Sequence, residues 1–366
     1  MIRKNEIIRI YGRDFKENTI RILEEADLAG LIPSRDSRIG IKPNLVSASE
    51  ASWGATTHPE LVAGILEYLQ ARGFEKIVIA EGSWVGDRTS QAFEVCGYKE
   101  LARKYGVTLI DAQKDQYREK NCAGMKLKVC ACVDDIDFMI NVPVLKGHCQ
   151  TRITCALKNM KGLIPNSEKR HFHSMGLHKP IAHLSTEIRQ DFILVDHICG
   201  DLDFEDGGNP VVRNCIMAAR DPVLVDTMVC RMLHIDPEEV PYVTMSEALG
   251  SGSMDFDHAL VRTLGREFEE DLPRERKIVH LQDAVEEVES CSACYGYLIP
   301  ALQMLKEEGL LEKLPGKISI GQGWRGRTGS IGVGNCTAGF DFCIRGCPPL
   351  ETQIYEELKS LILEQK

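Results

Sequence analysis

Residues 137–146, Asp-Phe-Met-Ile-Asn-Val-Pro-Val-Leu-Lys, form a near-continuous apolar run. A strand apolar on both sides of its pleat belongs inside a sheet covered on both faces, which in practice is a mainly parallel one. Shorter runs of the same kind stand at 7–11, 38–43, 76–81, 107–111, 191–197 and 214–219. Most alternate with stretches of helical periodicity, at 15–29, 59–72, 89–105 and 178–190. Strands and helices that alternate at these lengths predict βαβ units. The expected fold is therefore α/β, a mainly parallel sheet with helices on both faces, followed by a C-terminal cysteine-rich segment. Residues 152–161, 222–233 and 241–249 also read as helices, 127–132 as an edge strand or hairpin arm, and 165–179 as a polar loop. Thr57 and Glu60 have the spacing of a capping box for the helix at 59–72. Asp221-Pro222 caps the helix at 222–233, with proline at the first helical position, where its missing N–H costs nothing.

A chain of 366 residues exceeds one compact domain. The charged run at 266–276 reads as a solvated surface or linker, so the expected division is an α/β domain over 1–280 and a cysteine-rich region over 281–366. Hydrophobic content of 43% and mean hydropathy of -0.17 describe an ordinary globular protein. No apolar run reaches the roughly 18–20 residues that span a bilayer, and the first ten residues lack a signal-peptide apolar core. A membrane partner is not expected. A net charge of -10, with no basic stretch interleaved with aromatics, excludes nucleic acid as the main partner. Fourteen cysteines without a secretory signal point to a reducing cytoplasm, where clustered thiols bind metal more often than they pair.

Ligands of open parallel sheets bind beyond the carboxyl ends of the strands. Polar residues just after the strands are thus the candidates. Lys42-Pro43-Asn44 leaves one strand, and Lys42 and Asn44 can contact an anion. Lys146-Gly-His148 leaves another and leads into Thr151, Thr154, Lys158 and Lys161, spaced i, i+3, i+7, i+10 along one face of the expected helix. Two ammoniums and two hydroxyls suit a carboxylate or phosphate, and His148 or Lys146 can move a proton. Asp196 ends a third strand and can orient a base or a ligand. Asp226, a lone carboxylate in an apolar helix, requires a partner if buried and reads as structural. The histidines at 171, 173, 178 and 183 match no metal-ligand spacing, and Gly321-Gln-Gly323 lacks the third glycine of a dinucleotide fingerprint.

The last quarter carries Cys291-x2-Cys294, then Gly334-Asn-Cys336, and Cys343-x3-Cys347-Pro348-Pro349. A C-x2-C pair turns two thiolates toward one centre, and Cys336 and Cys347 can close the set. The Cys343-x3-Cys347-Pro ending resembles that of bacterial ferredoxin runs. These cysteines predict an iron–sulfur cluster, with zinc as the alternative.

The strand-end residues together resemble the DUF362 family, a group of prokaryotic proteins named for an uncharacterised domain. The resemblance rests on Lys42-Pro43-Asn44, Asn141-Val-Pro143-x-x-Lys146-x-His148, Leu157-Lys-Asn-Met-Lys-Gly162, Val195-Asp196 and Asp221-Pro222-x-x-x-Asp226, over roughly residues 36–250. It implies an α/β fold and an association with iron–sulfur centres, commonly through a ferredoxin-like segment with two C-x2-C-x2-C runs. This chain has no such run, which leaves a single cluster, 4Fe-4S, bound by Cys291, Cys294, Cys336 and Cys347, with Cys343 as the spare thiol. The expected function is an iron–sulfur oxidoreductase or electron-transfer protein. Lys146, His148 and Asp196 would be catalytic and Lys42, Asn44, Thr151, Thr154, Lys158 and Lys161 would bind a small anionic substrate. A redox partner protein would exchange the electrons. Two alternatives stand beside it: a hydro-lyase or isomerase using the cluster as Lewis acid, and a zinc-stabilised binding or sensor protein.

Overall fold

The computed structural model describes residues 1–148, 150–202, 210–265, 281 and 283–364. The chain divides into two compact units. The first gathers Met1–Lys146, Ile153–Asp201 and Pro210–Leu272; the second gathers Gly147–Arg152, Leu202–Asn209 and Pro273–Lys366. The charged run at 266–276 lies outside the described residues.

Sixteen described strands follow one another: β1 (Glu6–Tyr11), β2 (Ile39–Pro43), β3 (Ile77–Glu81), β4 (Thr108–Asp111), β5 (Tyr117–Cys122), β6 (Met125–Cys130), β7 (Phe138–Val142), β8 (Lys146–His148), β9 (Arg152–Thr154), β10 (Phe192–Asp201), β11 (Pro210–Ala219), β12 (Leu260–Leu264), β13 (Val285–Glu287), β14 (Ile318–Ile320), β15 (Ile331–Val333) and β16 (Phe342–Ile344). Eight of them build the sheet of the first unit, in the order β12-β1-β11-β10-β7-β2-β3-β4. From β10 to β4 every pair is parallel, and Lys42 sits opposite Asn141 at the carboxyl ends of β2 and β7. Antiparallel β11 and β1 extend the other side, with β12 parallel to β1. The α/β architecture and mainly parallel sheet are those expected. Strands β2, β3 and β7 are buried along their whole length, as their unbroken apolar character requires. Their core includes Ile39, Ile41, Ile79, Ile140 and Val142, packed with Leu61, Ile65 and Leu69 of the helix Pro59–Gln70.

Several local readings change. Thr57 does not cap the helix Pro59–Gln70, whose N-cap is His58 and which has no side-chain cap bond. Its hydroxyl instead donates to Val142 O and accepts from Asn44 N, tying two strand exits together. Residues 152–161 are not one helix. Arg152–Thr154 is a strand, and a short helix, Ala156–Asn159, runs into a 3-10 turn, Met160–Leu163. The supposed polar loop at 165–179 contains the helix Asn166–Met175, which buries Glu168, Lys169 and Phe172. The second error has a tertiary cause: distant contacts satisfy charged residues that sequence polarity assigns to solvent. Asp221 does cap Pro222–Met232, accepting from the Val223 and Leu224 amides.

The second unit has its own parallel sheet, in the sequential order β13-β14-β15-β16. Ile318, Ile320, Ile331, Val333 and Ile344 of its strands pack with Leu298, Leu302, Ile354 and Leu358 of the helices Ser292–Glu307 and Glu351–Glu364. Because all four strands are parallel, their carboxyl ends share one edge. Cys291 follows β13, Gln322 follows β14, Cys336 follows β15 and Cys347 follows β16. Cys294 reaches the same region from the first turn of Ser292–Glu307.

Candidate functional sites in the two units

In the first unit, a buried polar cluster closes the carboxyl ends of β2, β3 and β7. Lys42 Nζ lies 2.7 Å from Glu81 Oε2 and donates also to Asn159 Oδ1 at 2.9 Å and to Pro43 O at 2.8 Å. The side chains of Lys42 and Glu81 are 1% and 3% exposed, so the pair is desolvated. Burial pulls the Lys42 ammonium below its ordinary range; Glu81 opposes that shift, and Lys146 adds to it as a second positive charge. Glu81 also accepts from Leu45 N at 2.9 Å and from Gly82 N at 2.7 Å, so it fastens two strand exits as well as the lysine. Asn159 Nδ2 donates to Asn141 Oδ1 at 2.7 Å, and Asn141 Nδ2 donates to Gln190 Oε1 at 2.6 Å. Gly162 is the close approach that lets this happen. A Cβ there would stand 2.1 Å from Glu81 Oε1 and 2.6 Å from Lys42 Nζ.

The other strand-end residues are held individually. Asn44 pairs with Thr57 through its amide. Lys146 Nζ donates to Ala55 O at 2.6 Å, and Lys158 Nζ donates to Thr154 Oγ1 at 2.9 Å. Lys161 Nζ lies 3.2 Å from His173 Nε2. Asp226 accepts from Ala156 N at 2.7 Å and Leu157 N at 3.2 Å, anchoring the short helix that presents Lys158 and Asn159. Burial raises its carboxyl to about 7. Asp226 therefore has the structural partners its buried position demands. Thr154, Lys158 and Lys161 do not share one helical face, because Thr154 ends a strand.

Asp196 has a partner the sequence did not reveal. Its Oδ2 accepts from His58 N at 2.7 Å and faces His58 Nδ1 at 2.9 Å, while Oδ1 accepts from Ile198 N. With the proton on Nδ1, the lone pair of His58 is on Nε2. Burial disfavours the imidazolium, but the charge and hydrogen bond of Asp196, helped by Glu60, outweigh it and raise His58 above its ordinary 6.5. The sign follows: the stabilisation is full below about 6.5 and is lost as pH rises through the higher folded value. In Asp196→Asn the charge disappears and burial remains. The His58 midpoint, followed by NMR titration of the ring, is expected to fall below that of the wild type; an unmoved midpoint would contradict the pairing.

Lys169 was also missed, within the segment read as loop. Buried, its Nζ donates to Gly82 O and Ser83 O at 2.8 Å each, and burial lowers it to about 8. The signals were thin. Glu81 is an acidic residue ending an otherwise apolar strand, and His58 stands directly before the helix-opening Pro59.

His148 and Thr151 belong to the second unit. His148 Nδ1 accepts from the amides of Gln150 and Thr151 at 3.0 Å each. That places the ring proton on Nε2, making His148 a donor at its other face. In the cysteine region, Cys336, with smaller contributions from Cys291 and Cys347, raises the affinity of the Arg325 guanidinium for its proton. Cys294 Sγ would lie 3.7 Å from a Cβ on Gly334, the residue two before Cys336. Gln322 Nε2 donates to Cys291 Sγ at 3.4 Å. Cys343 is engaged elsewhere, with Sγ 3.5 Å from Thr337 Oγ1 and 3.6 Å from Gly334 O. The Ser290 hydroxyl, next to Cys291, is buried without a hydrogen-bond partner among the described residues. Among those residues no three His, Cys, Asp or Glu side chains are grouped closely enough to hold a single ion.

Comparison with known proteins gives three likenesses beside a family match. The chain is 24% identical over 236 residues to the thylakoid-associated protein sll1697 of Synechocystis sp., covering 63% of this chain and 73% of that one. The lactate racemase apoprotein from Thermoanaerobacterium thermosaccharolyticum aligns with a TM-score of 0.42 and 13% identity, over 64% of this chain and 58% of that one. A Thermotoga maritima protein aligns with a TM-score of 0.35 and 12% identity, over 50% of this chain and 51% of its own. Among the described residues no helix is long and apolar enough to cross a membrane. The family model described as "Domain of unknown function (DUF362)" matches residues 39–231, which hold Lys42, Glu81, Asn141, Asn159, Asp196 and Asp226. That is just over half of the chain, and the chain belongs to the DUF362 family.

Proposed function

We propose that this protein is an iron–sulfur oxidoreductase or electron-transfer protein whose C-terminal unit holds one cluster, 4Fe-4S, through Cys291, Cys294, Cys336 and Cys347. The observation that carries the reading is the shared sheet edge: three of these cysteines follow the carboxyl ends of parallel strands, and Cys294 stands beside Gly334. The donor set fits such a group in two further ways. Ser290 offers a buried hydroxyl with no hydrogen-bond partner among the described residues, and Cys336, Cys291 and Cys347 favour the charged form of Arg325. A single zinc ion draws four sulfurs to about 3.8 Å from one another, given a Zn–S length of about 2.3 Å. A cluster separates its ligands further, because bridging sulfides stand between the irons. When bound, an all-thiolate cluster supplies one-electron transfer.

The first unit is proposed to receive a small anionic substrate. Lys42, Asn44, Lys146, Thr154, Lys158 and Lys161 surround the carboxyl ends where open sheets bind ligands. Asp196 pairs with His58 at Nδ1 and leaves Nε2 to take up or release the proton as the ring titrates, which makes His58 a proton-transfer candidate beside His148. A separate redox protein is the expected electron partner. Anaerobic purification is expected to yield brown protein with iron and acid-labile sulfide in equal amounts. Colourless protein that carries zinc and no sulfide would overturn the reading.

A further inference from the structure

Four parallel strands end at one edge of the C-terminal sheet, and three of those ends carry a cysteine. The end of β14 does not. In its place runs Gly321-Gln322-Gly323-Trp324-Arg325, and this segment turns a donor toward a neighbouring sulfur. Gln322 Nε2 donates to Cys291 Sγ at 3.4 Å, an ordinary length for a bond to sulfur, whose radius exceeds that of oxygen. The backbone that allows this is tightly set. Gly321 has φ +121°, and a Cβ there would stand 2.0 Å from Val288 O and 2.8 Å from Ser290 N. The β14 exit is thereby pressed against the segment that leads into Cys291. The contact is reinforced by backbone bonds from Gln322 N to Glu289 O and from Gly323 N to Val288 O, both 3.0 Å. Gln322 is therefore fixed relative to Cys291 by main-chain geometry, and its amide reaches the sulfur from a rigid base.

We propose that Gln322 is a positioning residue whose amide sets the reduction potential of the centre held by Cys291. This rests on the cluster reading above. A neutral N–H donated to a ligand sulfur withdraws electron density and favours the reduced, more negative state, so it raises the potential. Removing the donor lowers the potential without removing a ligand. Gln322→Glu, nearly isosteric, replaces the donor with a negative charge and lowers it further.

The test is a potentiometric titration of the full-length protein, reconstituted anaerobically with iron and sulfide and monitored by its visible absorption. Wild type, Gln322→Leu and Gln322→Glu are compared, with Gln303→Leu, towards the far end of the helix Ser292–Glu307 and bonded to Glu307, as control. The expected result is the same iron and sulfide content in all four and midpoints in the order wild type and control, then leucine, then glutamate as the most negative. If Gln322→Leu loads no iron while wild type does, the glutamate variant decides on its own: a negative shift supports the proposal and an unmoved midpoint overturns it. Loaded variants with the wild-type midpoint also overturn it. Wild type that takes up no iron and sulfide overturns the cluster reading instead, so the two failures are distinguishable.

Discussion

Glu81→Leu is expected to destabilise the α/β unit by about 3–5 kcal/mol, the usual cost of stripping one partner from a buried ion pair. The cost arises because Lys42 would remain in a site where its side chain is 1% exposed. The usual rescue should be incomplete. Replacing both charges with apolar residues removes the buried ammonium, and in many proteins that is neutral or better. Here only one of the bonds to Glu81 comes from Lys42; the Leu45 and Gly82 amides supply others at 2.9 and 2.7 Å. Each orphaned amide costs about 1–3 kcal/mol. Lys42→Met combined with Glu81→Leu is thus expected to recover part of the loss and leave a deficit of about 2 kcal/mol or more. Urea unfolding of the single and double variants measures both. Full recovery in the double variant would show that the amides find other partners and that Glu81 serves the lysine alone.

The second large effect concerns cofactor retention. Serine substitution of Cys291, Cys294, Cys336 or Cys347, one at a time, is expected to abolish or sharply reduce iron and sulfide content, because a hydroxyl is a poor substitute for a thiolate ligand. Cys343→Ser is expected to retain both. Its sulfur is bonded to Thr337 Oγ1 and Gly334 O, roles a serine hydroxyl can also fill. Metal analysis of the five variants, each purified anaerobically, reads the result directly. Retention in Cys347→Ser with loss in Cys343→Ser would exchange the two residues and revise the ligand set.

Much of the first unit was legible from sequence because its strands are short, apolar and separated by well-formed helices. β2, β3 and β7 were located to within a residue or two at their starts, and Asp221 was identified correctly as a cap. The helix at 152–161 was misread because Thr151, Thr154, Lys158 and Lys161 happen to follow helical spacing, while Arg152, at φ +64°, and the following strand break it. The loop at 165–179 was misread because Lys169 is charged and yet buried, satisfied by the carbonyls of Gly82 and Ser83, 86 or more residues away. Partners at such separations leave no local trace. The same reason hid Glu81, which meets Lys42 only after β2 and β3 have paired, and His58, which meets Asp196 from 138 residues away. In the C-terminal unit the cysteines themselves were visible. What sequence lacked was the sequential parallel sheet that brings Cys291, Cys336 and Cys347 to one edge, and the meaning of Gly321-Gln-Gly323. That segment was set aside as lacking the third glycine of a dinucleotide fingerprint, whereas its glycine lets Gln322 reach a sulfur.

X-ray absorption at the iron edge of the anaerobically purified protein tests the central claim most directly. The expected spectrum shows iron surrounded by sulfur, with a second shell of iron from its neighbours in a cluster. Iron without an iron neighbour, or a zinc edge with four sulfur ligands in its place, would contradict it.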